Sequence, residues 1–212
     1  MVFLRLRAWS VIFSLLIASS LAVGEGKRIL FLGDSLTAGY GIEVDQAYPA
    51  LIQKKIREAG LAWEVIPSGL SGETSAGGLR RVDWVMRRRV DALFLALGAN
   101  DGLRGIEVGD TARNLQGIIN KARNRNPDIQ IIVAGMKVPP NLGRDYTVKF
   151  EKLYSDIAAR NDAALVPFLL ESVGGVKSLN LGDGIHPNPK GHAIIADTVW
   201  NILQGVLREK GS

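Results

Sequence analysis

Five short, mostly apolar runs, at 28–32, 63–66, 92–97, 129–134 and 164–168, decide what this chain can fold into. They are rich in Leu, Ile, Val and Phe and too short for stable helices. That is the pattern of strands buried on both faces, as in a parallel sheet. Helix-like segments separate them. Segment 48–59 places Leu51, Ile52, Lys55 and Ile56 on one stripe, and 75–89 carries Leu79, Val82, Val85 and Met86 at helical spacing. Segment 110–124 is expected to be capped by Asp110 and is stopped by Pro127; 148–161 and 189–207 complete the set. The alternation predicts an α/β fold: a three-layer α/β/α sandwich around a five-stranded parallel sheet, with right-handed crossovers. Ligands in such folds bind at the carboxyl ends of the strands. Ser35, the 68–75 loop and Asn100 follow the first three runs, so they are expected to share one edge.

The amino terminus has a different character. Arg5 and Arg7 precede a charge-free apolar stretch over 8–24, ending in small residues. This is the anatomy of an export signal, with cleavage expected near 22–24 and a single domain over 25–212. A retained anchor is the rival reading, because such a stretch reaches the lower limit for spanning a bilayer. The expected product is an exported, periplasmic or secreted monomer without a stable membrane anchor. Net charge is +5, or +3 without the two leader arginines, which gives no case for nucleic acid. Arg80, Arg81, Arg87, Arg88 and Arg89 cluster, and the plain reading is a solvated helix face. Zero cysteines remove any thiol nucleophile, and two histidines without cysteine make a poor zinc set. No phosphate-binding glycine signature occurs. No metal or cofactor is expected.

Two words carry most of the chemistry: Gly33-Asp34-Ser35-Leu36 and Asp183-Gly184-Ile185-His186. A serine where a strand gives way to a helical turn sits among N–H groups that favour negative charge. Capping by Asp34 or Ser35 would explain the same letters. An aspartate on Nδ1 of His186 would leave Nε2 free to deprotonate a serine, whereas simple surface exposure is the usual state of a loop histidine. His192 reads as a surface or cap residue. In Gly69-Leu70-Ser71-Gly72-Glu73-Thr74, backbone amides suit an oxyanion, or the segment is a turn closed by a Thr74 or Ser75 cap. In Gly98-Ala99-Asn100-Asp101-Gly102, the Asn100 amide can donate without titrating; an Asx-turn is the alternative, and Asp101 fits either an acid partner or a cap. The G-x-S-x-G elbow is absent, so a nucleophilic serine here needs another arrangement.

Together, Gly33-Asp34-Ser35-Leu36, Gly72, Asn100 and Asp183-x-x-His186, in that order, resemble the SGNH (GDSL) hydrolase family. Within it the chain closely resembles the small periplasmic acyl-CoA thioesterase I, lysophospholipase and arylesterase type. The resemblance spans the whole of 25–212 and implies a flavodoxin-like fold and a serine esterase or thioesterase. It assigns Ser35 as nucleophile, His186 as general base and then acid, and Asp183 as its orienter. The Ser35 and Gly72 N–H groups and the Asn100 side chain would form the oxyanion hole. Expected substrates are small acyl esters, lysophospholipids, aryl esters or acyl thioesters. Apolar residues in the loops after the third and fourth runs suit an acyl chain, with Leu103, Ile106, Pro139 and Leu142 as candidate substrate contacts and Met136, Val138 and Pro140 beside them. A carbohydrate or peptidoglycan O-acetylesterase on the same parts is the alternative, and a non-catalytic binding module a third.

Overall fold

The computed structural model describes residues 26–208. The leader and its cleavage site lie outside the described residues. Five strands, β1 (Lys27–Gly33), β2 (Trp63–Gly69), β3 (Ala92–Ala96), β4 (Gln130–Ala134) and β5 (Ala164–Val166), form one sheet in the order β2-β1-β3-β4-β5. Every pairing is parallel, with Phe31 beside Phe94 and Leu32 beside Leu95. The central strands are apolar on both faces because both are covered. Ile29 through Leu32 and Leu93 through Leu95 are essentially inaccessible, and the Phe31 and Phe94 rings stack at 4.6 Å.

The helices are α1 (Ser35–Ala38), α2 (Tyr48–Glu58), α3 (Ser75–Val85), α4 (Ala99–Leu103), α5 (Val108–Arg125), α6 (Arg144–Arg160) and α7 (Pro189–Arg208). α3, α5 and α6 pack side by side on one face of the sheet, and α2 packs with α7 on the other. This is the expected three-layer sandwich. α2 shows why a modest apolar stripe suffices: Pro49 presets its first turn, and Ile52 and Ile56, one turn apart, are fully buried. β2 is an edge strand, and it carries Pro67, which an edge tolerates because no partner needs its missing N–H. Gln53 covers part of the same edge, accepting from Val65 N–H at 2.7 Å and donating to Trp63 O at 3.2 Å.

Three expected helix boundaries move. The segment expected to run to 89 ends at Val85, because the consecutive arginines at 87–89 stay in solvent while Val90 returns to the core. The helix expected from Asp110 begins at Val108, with Glu107 in the cap position. Asp110 therefore complements the first-turn dipole instead of capping. α6 starts at Arg144, four residues early; Arg144 and Asp145 lie in solvent and only Tyr146 of the first turn packs on the core, which leaves a weak apolar signature there.

After β1 the chain crosses to one side to form β2, then returns past β1 to form β3. The point of reversal lies between the carboxyl ends of β1 and β3, where an open α/β sheet leaves a crevice. Ser35 and Asn100 stand at that point.

Candidate active site

The turn from β1 into α1 is as tight as a chain permits. A Cβ on Gly33 would lie 2.0 Å from Thr37 Oγ1, so only glycine fits between the strand and the helix. Asp34 caps α1, its Oδ1 accepting from Leu36 N–H at 3.0 Å. Capping and a possible catalytic use are therefore not rivals here, since Asp34 takes the first and leaves Ser35 facing the site. Ser35 is 9% exposed, and His186 Nε2 lies 3.0 Å from its Oγ.

Behind the histidine, Nδ1 is 2.7 Å from Asp183 Oδ2. Asp183 Oδ1 accepts from the N–H groups of Ile185 and His186 at 2.9 and 3.0 Å, so one carboxylate shapes the loop and orients the ring. These bonds, the His186 N–H foremost, hold the Asp183 carboxyl down at about 2. The loop is tied at its base by Leu181 N–H to His186 O at 2.7 Å and by the Asn180–Pro187 bridge. Tyr40 covers the imidazole, with ring centroids 4.5 Å apart.

The other half of the site comes from β2 and β3. α4 is preceded, in its cap position, by Gly98, whose φ of +114° and whose missing side chain are both required. A Cβ there would meet Tyr154 Oη at 2.2 Å. Asn100, in the first turn, donates from Nδ2 to Glu73 O at 3.0 Å and lies 3.4 Å from Asp34 Oδ2. The longer contact is weak, so one amide proton is held only loosely. The Ser35 and Gly72 N–H groups have no acceptor among the described residues. Asn100 thus touches both the residue before Ser35 and the residue after Gly72. Asp34 is buried, which pushes its carboxyl up to about 6.

Asp101 contributes framework. Fully buried, it accepts from Ser75 N–H at 2.8 Å and from the Ser75 hydroxyl, with Thr111 Oγ1 at 3.3 Å, which locks α4 to the starts of α3 and α5. Of the candidate acyl contacts, Leu103 is 51% exposed at the end of α4, Ile106 and Leu142 are half-buried, and Pro139 is exposed. Their two loops are neighbours, since Tyr146 Oη of α6 donates to Ile106 O at 2.7 Å. None of the four makes a hydrogen bond to the Ser35–His186–Asp183 chain. Met136, expected among the apolar loop residues, is buried in the core.

Two expectations fail. His192 is not a surface or cap residue but is 1% exposed, and its Nδ1 accepts from Tyr48 N–H at 3.1 Å. Burial drives its imidazole down to about 4. α7 turns this residue inward, onto the start of α2. Arg81 likewise leaves the solvated arginine face. It points beneath the 68–75 loop and meets Glu73, while Arg80, Arg87, Arg88 and Arg89 stay exposed. Helical spacing alone did not distinguish Arg81 from Arg80; the acid at Glu73, eight residues before it, was the available signal. Among the described residues no group of three or more His, Asp or Glu side chains is placed to hold a metal ion.

Residues 31–194 match the model of the GDSL-like lipase/acylhydrolase family. The chain is 37% identical over 182 residues to the esterase TesA of Pseudomonas aeruginosa, covering 85% of this chain and 90% of that one. It is 33% identical over 202 residues to the thioesterase 1/protease 1/lysophospholipase L1 of Escherichia coli K12, covering 94% of each. A crystal structure of TesA superposes with a TM-score of 0.81 at 35% identity, covering 85% of this chain and 99% of that one.

Proposed function

This chain belongs to the GDSL-like lipase/acylhydrolase family and hydrolyses esters, and we propose that it does so through an acyl-enzyme on Ser35. The observation that carries the proposal is the continuous hydrogen-bond chain Ser35–His186–Asp183. Ser35 Oγ attacks the substrate carbonyl as Nε2 of His186 takes its proton, and Asp183, already ionised, stabilises the imidazolium that forms. The oxyanion is received by the Ser35 and Gly72 N–H groups and the loosely held proton of Asn100. His186 then protonates the leaving alcohol or thiol. Water, deprotonated by the same ring, releases the acid.

For the acyl group we propose the apolar loops that carry Leu103, Ile106, Pro139 and Leu142. What supports this is the exposure of large apolar side chains in the segments that follow the strands and flank the histidine: Tyr40, Leu70, Ile185 and, at the end of α4, Leu103 are each more than half exposed. Such a rim suits a lipid-type acyl chain better than a sugar. We also propose that the leader directs export and that the enzyme acts as a monomer, since every group in the mechanism comes from one chain. Among the described residues no helix is long and apolar enough to cross a membrane.

The test is labelling with a fluorophosphonate probe alongside turnover of p-nitrophenyl esters from acetyl to palmitoyl. Ser35→Ala is expected to abolish both labelling and turnover, and the intact enzyme to favour medium chains. Persistent labelling of Ser35→Ala would assign another nucleophile, and a sharp acetyl preference would overturn the acyl-chain reading.

A further inference from the structure

Gly72 sits in a loop with little to hold it. Leu70, its one large apolar residue, is 53% exposed, and the backbone holds the turn through two bonds, Glu73 N–H to Leu70 O at 3.1 Å and, at its start, Leu70 N–H to Gly33 O at 3.0 Å. Gly72 itself takes a φ of +77°. An oxyanion donor must nevertheless be fixed before the reaction begins, because its value lies in not having to reorganise.

Rigidity reaches the loop from below. The Glu73 side chain is only 3% exposed and is gripped by Arg81, with Nε 2.6 Å from Oε1 and Nη2 bonded to Oε2. The same guanidinium reaches further, with Nη1 donating to Ser68 Oγ at 2.7 Å and Nη2 to Ser68 O at 2.8 Å and Gly33 O at 3.4 Å. One planar group thus joins the end of β2 to the residue after Gly72, with a weaker contact to the last residue of β1. Above, the Glu73 carbonyl accepts from Asn100, and Arg104 Nη2 donates to Gly72 O at 3.1 Å.

We propose that Arg81 and Glu73 form a positioning clamp that fixes the Gly72 N–H relative to Ser35. The clamp rests on the oxyanion role proposed for Gly72. Neither residue touches reacting atoms; both act through the loop. The guanidinium fork is essential to the device, because its rigid plane transmits the position of β1 and β2 to the loop. A lysine carries the charge but not the geometry.

Removing one partner strands a buried charge and endangers folding, so the test uses two other variants. Arg81→Lys keeps the charge without the fork. The double variant Glu73→Leu with Arg81→Met removes both charges at similar volume, an exchange that buried pairs tolerate. Each is compared with the intact enzyme for melting temperature, kcat, KM and affinity for an alkylboronic acid, which mimics the tetrahedral intermediate. In a folded variant kcat is expected to fall roughly 10–100-fold with KM nearly unchanged, because small misplacements of catalytic groups cost rates of that order. Boronate affinity is expected to fall by the same factor. A folded variant with intact kcat, or one that loses kcat while keeping boronate affinity, overturns the clamp. If the double variant does not fold, Arg81→Lys decides alone. Ser35→Ala run in parallel separates the two readings: an active Ser35→Ala defeats the site assignment, whereas an inactive Ser35→Ala beside fully active clamp variants defeats only the clamp.

Discussion

The chain has two histidines, six residues apart, and each has a tyrosine against its ring. His186 lies in an irregular loop, its side chain 20% exposed, with Tyr40 over it at 4.5 Å and a tilt of 40°. His192 lies in the first turns of α7, 1% exposed, with Tyr48 nearly parallel at 6.2 Å. The difference is one of partners. Both nitrogens of His186 face groups that can exchange protons, Asp183 and Ser35. Nδ1 of His192 faces a backbone N–H that never leaves. On the proposed mechanism, the same side chain is a base in one setting and a structural acceptor in the other. His192 still serves the site at a distance: it holds the start of α2, whose Tyr48 hydroxyl pairs with Thr37 Oγ1 of α1 at 2.7 Å.

The largest expected effect breaks the pair apart. His186→Ala should lower kcat by on the order of 10⁵–10⁶-fold, as loss of the base does in a serine triad, with melting temperature nearly unchanged. His192→Ala should do the reverse. It strands the buried Tyr48 N–H at a cost of roughly 1–3 kcal/mol. For a domain of this size that lowers the melting temperature by roughly 2–12 °C, with kcat within a few-fold. Steady-state kinetics and thermal unfolding on both variants check the division; equal losses of kcat would abolish it.

A finer test uses pH. The native imidazole of His192 titrates at about 4, against 6.5 for the free side chain. Between those values the unfolded chain takes a proton that the native state refuses, so this group withdraws stability as pH falls. Asp34 works oppositely. Its native carboxyl titrates at about 6 against 3.8, so the native state protonates first and gains stability over much of the same window. From pH 7 to 5 each contribution is about 1–2 kcal/mol and the two nearly cancel. Asp183, held at about 2, adds its loss only below that window. His192→Asn keeps an acceptor for Tyr48 N–H but cannot titrate. Its unfolding free energy from denaturant titration is expected to rise from pH 7 to pH 5, while that of the intact protein stays nearly flat. A variant as flat as its parent would remove both His192 and Asp34 from the balance, and a flat variant beside a parent that loses stability would remove Asp34 alone.

Why one histidine was legible in the sequence and the other was not follows from the same contrast. Buried parallel strands announce themselves as apolar runs, because burial on both faces leaves no alternation to misread, and the sheet order then places Ser35 and Asn100 at one edge. The Asp183–His186 bond is local, three residues apart, so glycine, proline and spacing pointed to it. His192 and Arg81 depend instead on partners 144 and 8–48 residues away, Tyr48 in one case and Glu73, Ser68 and Gly33 in the other. Periodicity assigns a residue to a face of its helix, but it does not say what the neighbouring element presents there. Polar residues that turn inward to meet a distant polar group therefore look like surface residues in the sequence.

The smallest effect concerns Tyr40, which is 52% exposed and makes no hydrogen bond to the histidine it covers. Its ring face can act only through the imidazole's charge and orientation. In the proposed mechanism, proton transfer from Ser35 turns the neutral ring into a cation, and an aromatic face near a cation at an exposed site contributes about 0.5–1 kcal/mol. Because the cation forms on the way to the transition state, that energy appears in the rate. Tyr40→Leu, which keeps an apolar cover without a π face, is expected to lose kcat/KM by roughly 2–5-fold, and Tyr40→Phe to lose almost nothing. Parallel assays of the two variants on one short-chain ester decide it, since a short acyl group makes little use of the apolar rim. Equal activity in both would reduce Tyr40 to a lid over His186, while an equal loss in both would assign the effect to the phenol hydroxyl, in contact with substrate or water.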